Sequence, residues 1–327
     1  MNSFTYTRAA SVDEAINSFA THSNSSFIGG GTNLLDLMKM GVEQPRHLID
    51  ISRLPLNTIE DREGGIRIGA MVTNTNAANH QLVRTRFPLL TQAILAGASQ
   101  QLRNMATMGG NLLQRTRCYY FYDPTYPECN KRQPGSGCGA INGINRIHAV
   151  LGASHKCIAT HPSDMCVALA ALNAIVHVHG PSGPRAIPLI HFHRLPADTP
   201  ELDTNLHPGE MITAIDIPAP KQAVRSHYLK VRDRNSYAFA LVSVATVVDL
   251  ASDGTARDIQ IALGGVAHKP WRAATAERLL IGKPLDETHL RSAANEEFKA
   301  AVPHSGNAFK IALGRRAIVR AITTAIS

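Results

Sequence analysis

FIGGGTNLL, residues 27–35, sets three consecutive glycines directly after two apolar residues. Glycine takes positive φ without steric cost and lets a ligand approach the backbone closely, so such a run turns tightly and aims amide N–H groups at one place. Charge-assisted hydrogen bonds are worth about 1.5–3 kcal/mol each, so a few of them can hold a pyrophosphate. Thr32 and Asn33 add side-chain partners. The run fits neither GxGxxG nor the P-loop, whose last glycine precedes a lysine; taken alone it reads equally as a flexible hairpin. A second turn, RNMATMGGNLL from Arg103 to Leu113, repeats the combination in Thr107, Gly109, Gly110 and Asn111. Two such turns about 80 residues apart could close on one dinucleotide from opposite sides.

Around these turns the chain reads as α+β. Ser11 and Glu14 have capping-box spacing, and Val12, Ala15, Ile16 and Phe19 follow at helical intervals. Strands are expected at Phe27–Ile28, His47–Ile51 and Ile66–Val72, and Pro88 suits the start of a helix running to Ala98. ATMGGNLL reads as strand and turn. Regular patterning then stops from Thr116 to Asn145 and resumes at HAVLGAS. Pro162 opens an apolar helix to Leu172, AIVHVHG alternates as a strand, and Pro218, Pro220 and Lys221 to Ser226 mark a linker. Beyond it come strands at HYLKVR, FALVSVATVVDL and DIQIALGGVA, then helices near Ala273 and through the last twenty residues.

A chain of 327 residues suits two or three domains, and 44 % apolar with 18 % charged residues reads as globular. The longest strongly apolar run, Ala238 to Val248, falls short of the roughly 20 residues of a membrane span. MNSFTYTRAASVDEA lacks the parts of a secretory signal, so no self-directed export is expected. The net charge of +8 comes without any block of five or six like charges and with only 5 % aromatics, which argues against nucleic acid. Between Gln101 and Thr160, seven Lys/Arg stand against two Asp/Glu, so most of the excess surrounds the cysteines.

Those cysteines number five, too few and too uneven for a disulfide scaffold. Four of them, Cys118, Cys129, Cys138 and Cys157, lie in or beside the unpatterned stretch, spaced by ten, eight and eighteen residues. Thiolates converging from a loop can ligate a metal; the spacing lacks CxxC knuckles and leaves zinc and iron–sulfur both open. Cys166 sits at helical spacing in MCVALAALNA and reads as a core thiol. His161 beside Asp164 reads as capping or structural, and no histidine is assigned to metal.

FIGGGTNLL, LRNMATMGGNLL, HPSDM at 161–165 and HYLKVRDRNSYAFALVSVA at 227–245, with LHPGEMITAIDIP and LGGVAHKPWRA, resemble the FAD-binding subunits of the xanthine-oxidase family of molybdenum hydroxylases. The resemblance implies a vanillyl-alcohol-oxidase-type FAD-binding fold in two subdomains, residues 1–57 and 58–222, and a C-terminal α+β domain of the CO-dehydrogenase flavoprotein type, residues 223–327. It implies that Phe27, Ile28, Gly29, Gly30, Gly31, Thr32, Asn33 and Leu34 wrap the FAD pyrophosphate and that Thr107, Gly110 and Asn111 complete that site. By the same resemblance Asp164 binds the ribose–adenine end, Lys230 lies beside the flavin, and Leu95 and Ile217 make apolar contacts. Residues 115–160 match the place where aldehyde oxidoreductase subunits of this family carry a [4Fe–4S] cluster, which would make the four insertion cysteines its ligands. Arg115, Arg117, Lys131, Arg132, Arg146 and Lys156 would then offset its negative charge.

The implied partners are a small subunit with two [2Fe–2S] clusters, a large molybdenum-cofactor subunit and an external electron acceptor. Periplasmic residence, by folded export with a partner bearing a twin-arginine signal, is the implied location, with the cytoplasm as alternative. Two other readings stand beside it: a self-sufficient FAD oxidase of the vanillyl-alcohol type, for which no substrate base is identifiable, and a metal-stabilised nucleic-acid module using the basic insertion.

Overall fold

The computed structural model describes residues 1–220 and 224–327. The first sheet is parallel: β1 (Thr5–Arg8) and β2 (Ser25–Ile28) both pair with β3 (His47–Asp50), which is buried along its whole length. The helix Val12–Thr21 connects β1 to β2. Glu14 N–H donates to Ser11 Oγ at 3.1 Å, while Glu14 Oε2 accepts from Ala10 N at 2.8 Å, so the expected cap is present with its return bond one residue earlier. Ser11→Ala should cost about 1 kcal/mol, read as a lower unfolding midpoint in denaturant. Because β2 is parallel to its neighbour, the glycine run leaves its carboxyl end, where α/β sheets place ligand crevices.

The second sheet, ordered β4-β5-β8-β6-β7, is antiparallel and comprises β4 (Ile59–Arg62), β5 (Gly65–Gly69), β6 (Ile175–Gly180), β7 (Gly183–Pro188) and β8 (Met211–Pro218). The helices Pro88–Ala96 and Asp164–Ala171 share its core. All eight residues of the latter are buried, because it also packs on the third sheet. That sheet runs β12-β11-β10-β9, from β9 (Arg225–Val231), β10 (Val242–Leu250) and β11 (Ala256–Gly264) to β12 (Trp271–Arg272), with the long helix Phe309–Ile326 across it. No helix among the described residues is long and apolar enough to cross a membrane.

Several expectations need correction. ATMGGNLL is a short helix, Met108–Leu112, because Thr107 Oγ1 accepts from Gly110 N at 3.1 Å and caps a segment whose glycines alone would not favour it. HAVLGAS forms neither strand nor helix; Val150 and Leu151 are buried and both donate to the Val266 carbonyl. Of the expected linker, residues 221–223 lie outside the described residues. The helix Glu287–Glu297, capped by Asp286, has a buried face of Leu290, Ala293, Ala294 and Glu297, too weakly apolar to stand out in sequence.

Candidate cofactor site

The two glycine turns meet. A Cβ on Gly30 would lie 1.8 Å from the Met105 carbonyl oxygen, so this position joins the turns by backbone contact that no side chain permits. Gly31 has φ +71°, the left-handed region. Among the described residues, the backbone N–H groups of Gly29 to Asn33 donate to no protein acceptor, although the turn is concave and partly enclosed. Gly29, Gly31, Thr32 and Asn33 line a cavity of about 750 Å³, within the range of cofactor pockets.

Phe27, Ile28, Gly29, Gly31, Thr32, Asn33, Leu34, Thr107, Gly110, Asn111, Asp164 and Lys230 all line that cavity. Gly30 does not; its role is the contact with Met105. Leu95 is 47 % exposed: Ala93 and Ile94 line the cavity, and the next position on the helix turns outward. Ile217 is 1 % exposed in β8, paired with Ile66 inside the second core, and contributes nothing to the cavity wall.

Asn33 is engaged elsewhere. Its Oδ1 accepts from Arg115 N at 2.9 Å and its Nδ2 donates to Tyr122 OH at 3.2 Å, so the first turn is tied to the cysteine insertion rather than offering this amide to a phosphate. Asn111 Oδ1 accepts from Gln114 Nε2 and Ser163 Oγ, each at 2.6 Å, which leaves its Nδ2 without a protein partner among the described residues. Arg115, Arg117 and Tyr122 also line the cavity, so the insertion forms part of its wall.

Asp164 and Lys230, sent to opposite ends of a dinucleotide by the sequence comparison of motifs, touch each other. Lys230 Nζ donates to Asp164 Oδ2 at 2.8 Å and to the Ala96 carbonyl at 3.0 Å, with both side chains under one-tenth exposed. The lysine's charge is largely neutralised by its partner. Tyr228 OH donates to Asp164 Oδ1 at 2.6 Å; burial, then the Asp164 charge, pushes this phenol well above its usual range and keeps it a donor. Tyr228→Phe should cost about 1.5–3 kcal/mol, the worth of a hydrogen bond to a charged group, measured by urea unfolding.

The four insertion cysteines share one small core with Phe121, Ile158 and Ala159. Cys129 and Cys138 are bridge partners, the charges of Cys129 and Cys157 act on Cys118, and those of Cys138 and Cys129 act on Cys157. Burial pushes Cys118 up to about 12 and Cys157 to about 11. None is in a disulfide. His148 Nε2 lies 3.1 Å from Cys118 Sγ. The surrounding cations are mostly matched already. Lys131, 1 % exposed, and Arg115 both hold Asp203; Lys156 pairs with Asp198 and Arg146 with Asp233. Burial opposes the charge on Asp203, but Lys131 and then Arg115 outweigh it and hold the carboxyl well below its usual range. Arg132 donates to the Tyr120, Phe121 and Tyr126 carbonyls and laces the loop. Sequence had no means of marking Asp203, Tyr228 or His148, because their partners lie 64 to 88, or 30, positions away.

Residues 2–220 match the family described as "FAD binding domain in molybdopterin dehydrogenase", and residues 227–325 match "CO dehydrogenase flavoprotein C-terminal domain". The chain is 49 % identical to the aldehyde oxidoreductase FAD-binding subunit PaoB of Escherichia coli, over 99 % of both chains. It belongs to the FAD-binding medium subunits of the xanthine-oxidase family of molybdenum hydroxylases. The glyceraldehyde dehydrogenase medium chain of Sulfolobus acidocaldarius is 29 % identical over 98 % of this chain and 95 % of that one. A solved carbon monoxide dehydrogenase from Hydrogenophaga pseudoflava superposes with a TM-score of 0.78 at 27 % identity, covering 99 % of this chain and 98 % of the other. The α+β fold and the oxidoreductase class expected from the motifs are therefore those of the family.

The residues present fit the family's FAD. A glycine turn with unpaired N–H groups at four cavity-lining residues suits an anionic pyrophosphate, and Ala93, Ile94 and Leu102 supply apolar wall for a planar ring.

Proposed function

We propose that this medium subunit is the FAD- and [4Fe–4S]-binding electron-transfer chain of a heterotrimeric molybdenum-dependent aldehyde oxidoreductase. It would receive electrons from the [2Fe–2S] clusters of a small subunit, while a large subunit oxidises the aldehyde at molybdenum. The observation that carries the reading is one cavity lined both by the glycine turns and by Arg115, Arg117 and Tyr122 of the cysteine insertion. The aldehyde rests on the likeness to PaoB.

When bound, FAD supplies the redox chemistry that hands electrons to an external acceptor. Residues 28–34, Thr107, Gly110 and Asn111 are assigned to hold it: N–H groups of the first turn on the phosphates, and the free Asn111 amide and Thr107 hydroxyl facing them. The Asp164–Lys230 pair closes the opposite wall and lends a directed dipole more than a net charge. We assign the four thiols, which share one small core, to a [4Fe–4S] cluster, with zinc as the alternative. His148 is placed to donate to the Cys118 thiolate. We assign the protein to the periplasm, exported folded with its small subunit; cytoplasmic residence is the alternative.

Anaerobic mixing tests the electron route. An aldehyde should bleach the flavin in the complex co-purified with its partners, and should leave the flavin of the isolated chain oxidised. Bleaching of the isolated chain would favour a self-sufficient flavin oxidase, and no bleaching in a complex that dithionite does bleach would contradict the proposed route.

A further inference from the structure

Beside residues 162–165 of the cavity wall, three side chains that spacing kept apart meet in the core. A ring nitrogen of His161, the Cys166 sulfur and a ring nitrogen of His193 lie within 4.8 Å of one another. His161 precedes the helix Asp164–Ala171, Cys166 sits in its first turn, and His193 follows the helical turn Leu189–Phe192. Cys166 is 0 % and His193 2 % exposed; His161 keeps an accessible edge, but its Nε2 is enclosed. The two rings have centroids 4.3 Å apart.

His193 Nε2 is 2.8 Å from the Leu112 carbonyl, which can only accept, so Nε2 carries the proton and Nδ1 presents a lone pair. That Nδ1 has no hydrogen-bond partner, and neither has His161 Nε2. Buried polar atoms are nearly always paired, and two orphaned ring nitrogens beside one thiol form a ligand set for a metal ion.

We infer that His161 Nε2, Cys166 Sγ and His193 Nδ1 form a three-coordinate site for one Cu⁺ ion. Charge selects the ion. Two neutral imidazoles and one thiolate carry a single negative charge, so Cu⁺ makes the buried assembly neutral, whereas Zn²⁺ would leave a net charge in the core. Asp203, whose charge acts on both histidines, cannot compensate freely because Lys131 and Arg115 already hold it. Thiolate and imidazole both suit copper, and the Leu112 carbonyl orients His193 as an outer-sphere acceptor. Binding releases the Cys166 proton to solvent and moves the His161 proton to Nδ1, at the loss of a 3.4 Å contact from Ser163 N–H. The accessible edge of His161 gives the ion a way in.

The test uses the holoprotein from copper-supplemented cells, purified anaerobically, washed with a Cu⁺ chelator, and measured for copper content and copper-edge X-ray absorption. One copper per chain is expected, with two nitrogen neighbours and one sulfur, lost in Cys166→Ala and in His193→Gln while FAD and iron content stay unchanged. Only trace copper after the wash, equal retention by both variants, or coordination by sulfur alone, as the insertion thiols would give, overturns the site.

Discussion

Gly30→Ala should yield a chain without flavin. Its new Cβ would sit 1.8 Å from the Met105 carbonyl oxygen and 2.7 Å from the Met105 carbonyl carbon, both backbone atoms that cannot rotate aside. The two turns must separate, which removes the Thr107 side of the cavity from the Gly29 side. Overpacking that forces backbone shifts costs about 3 kcal/mol at its upper range, so unfolding in denaturant should move by that much or more. Gly31→Ala is the informative contrast. There the added Cβ meets side chains alone, Leu35 at 3.0 Å and Ile28 at 3.4 Å, and the cost is that of a left-handed residue, about 1–2 kcal/mol. Flavin retained by Gly30→Ala would mean that the turns do not jointly form the site.

Cys129→Ser should remove the iron and loosen the flavin together. Cys129 is the bridge partner of Cys138 and its charge acts on Cys118, next to Arg117 and four residues before Tyr122. When that loop loses the proposed cluster, the bonds from Arg115 N to Asn33 and from Asn33 to Tyr122 lose their anchor. Two hydrogen bonds at about 1 kcal/mol each correspond to roughly thirtyfold weaker FAD binding. Titrating FAD into the anaerobic apoprotein, followed by flavin fluorescence, measures it. Asn33→Ala should weaken FAD to a similar extent and keep all the iron, which separates the hydrogen-bond link from cluster loss itself.

What could be read from sequence followed from local chemistry. The Ser11 cap, the Pro88 helix start and the strand alternation at residues 175–180 each depend on neighbours within a few positions, and each is present. The glycine turns were legible as backbone that must approach something, and the four cysteines as a group. The partners were not. Asn33 could not be assigned to Tyr122, nor Lys131 to Asp203, because a side chain's hydrogen-bonding capacity does not name its recipient 89 or 72 positions away. Asp164 and Lys230 illustrate the same gap: both line the cavity, and only three dimensions showed that they pair with each other. Leu95 lies one step along its helix from the cavity-lining Ala93 and Ile94 and turns outward, whereas Ile217 lies in the core on β8, none of whose residues lines the cavity.

The most direct test of the account is a cofactor count on one anaerobically purified sample of the chain, by visible spectrum with flavin, iron and acid-labile sulfide assays. The account predicts about one FAD together with about four iron and four sulfide per chain. Flavin with zinc, or with no metal at the four thiols, would contradict the cluster, and a chain that holds neither flavin nor iron would contradict the account as a whole.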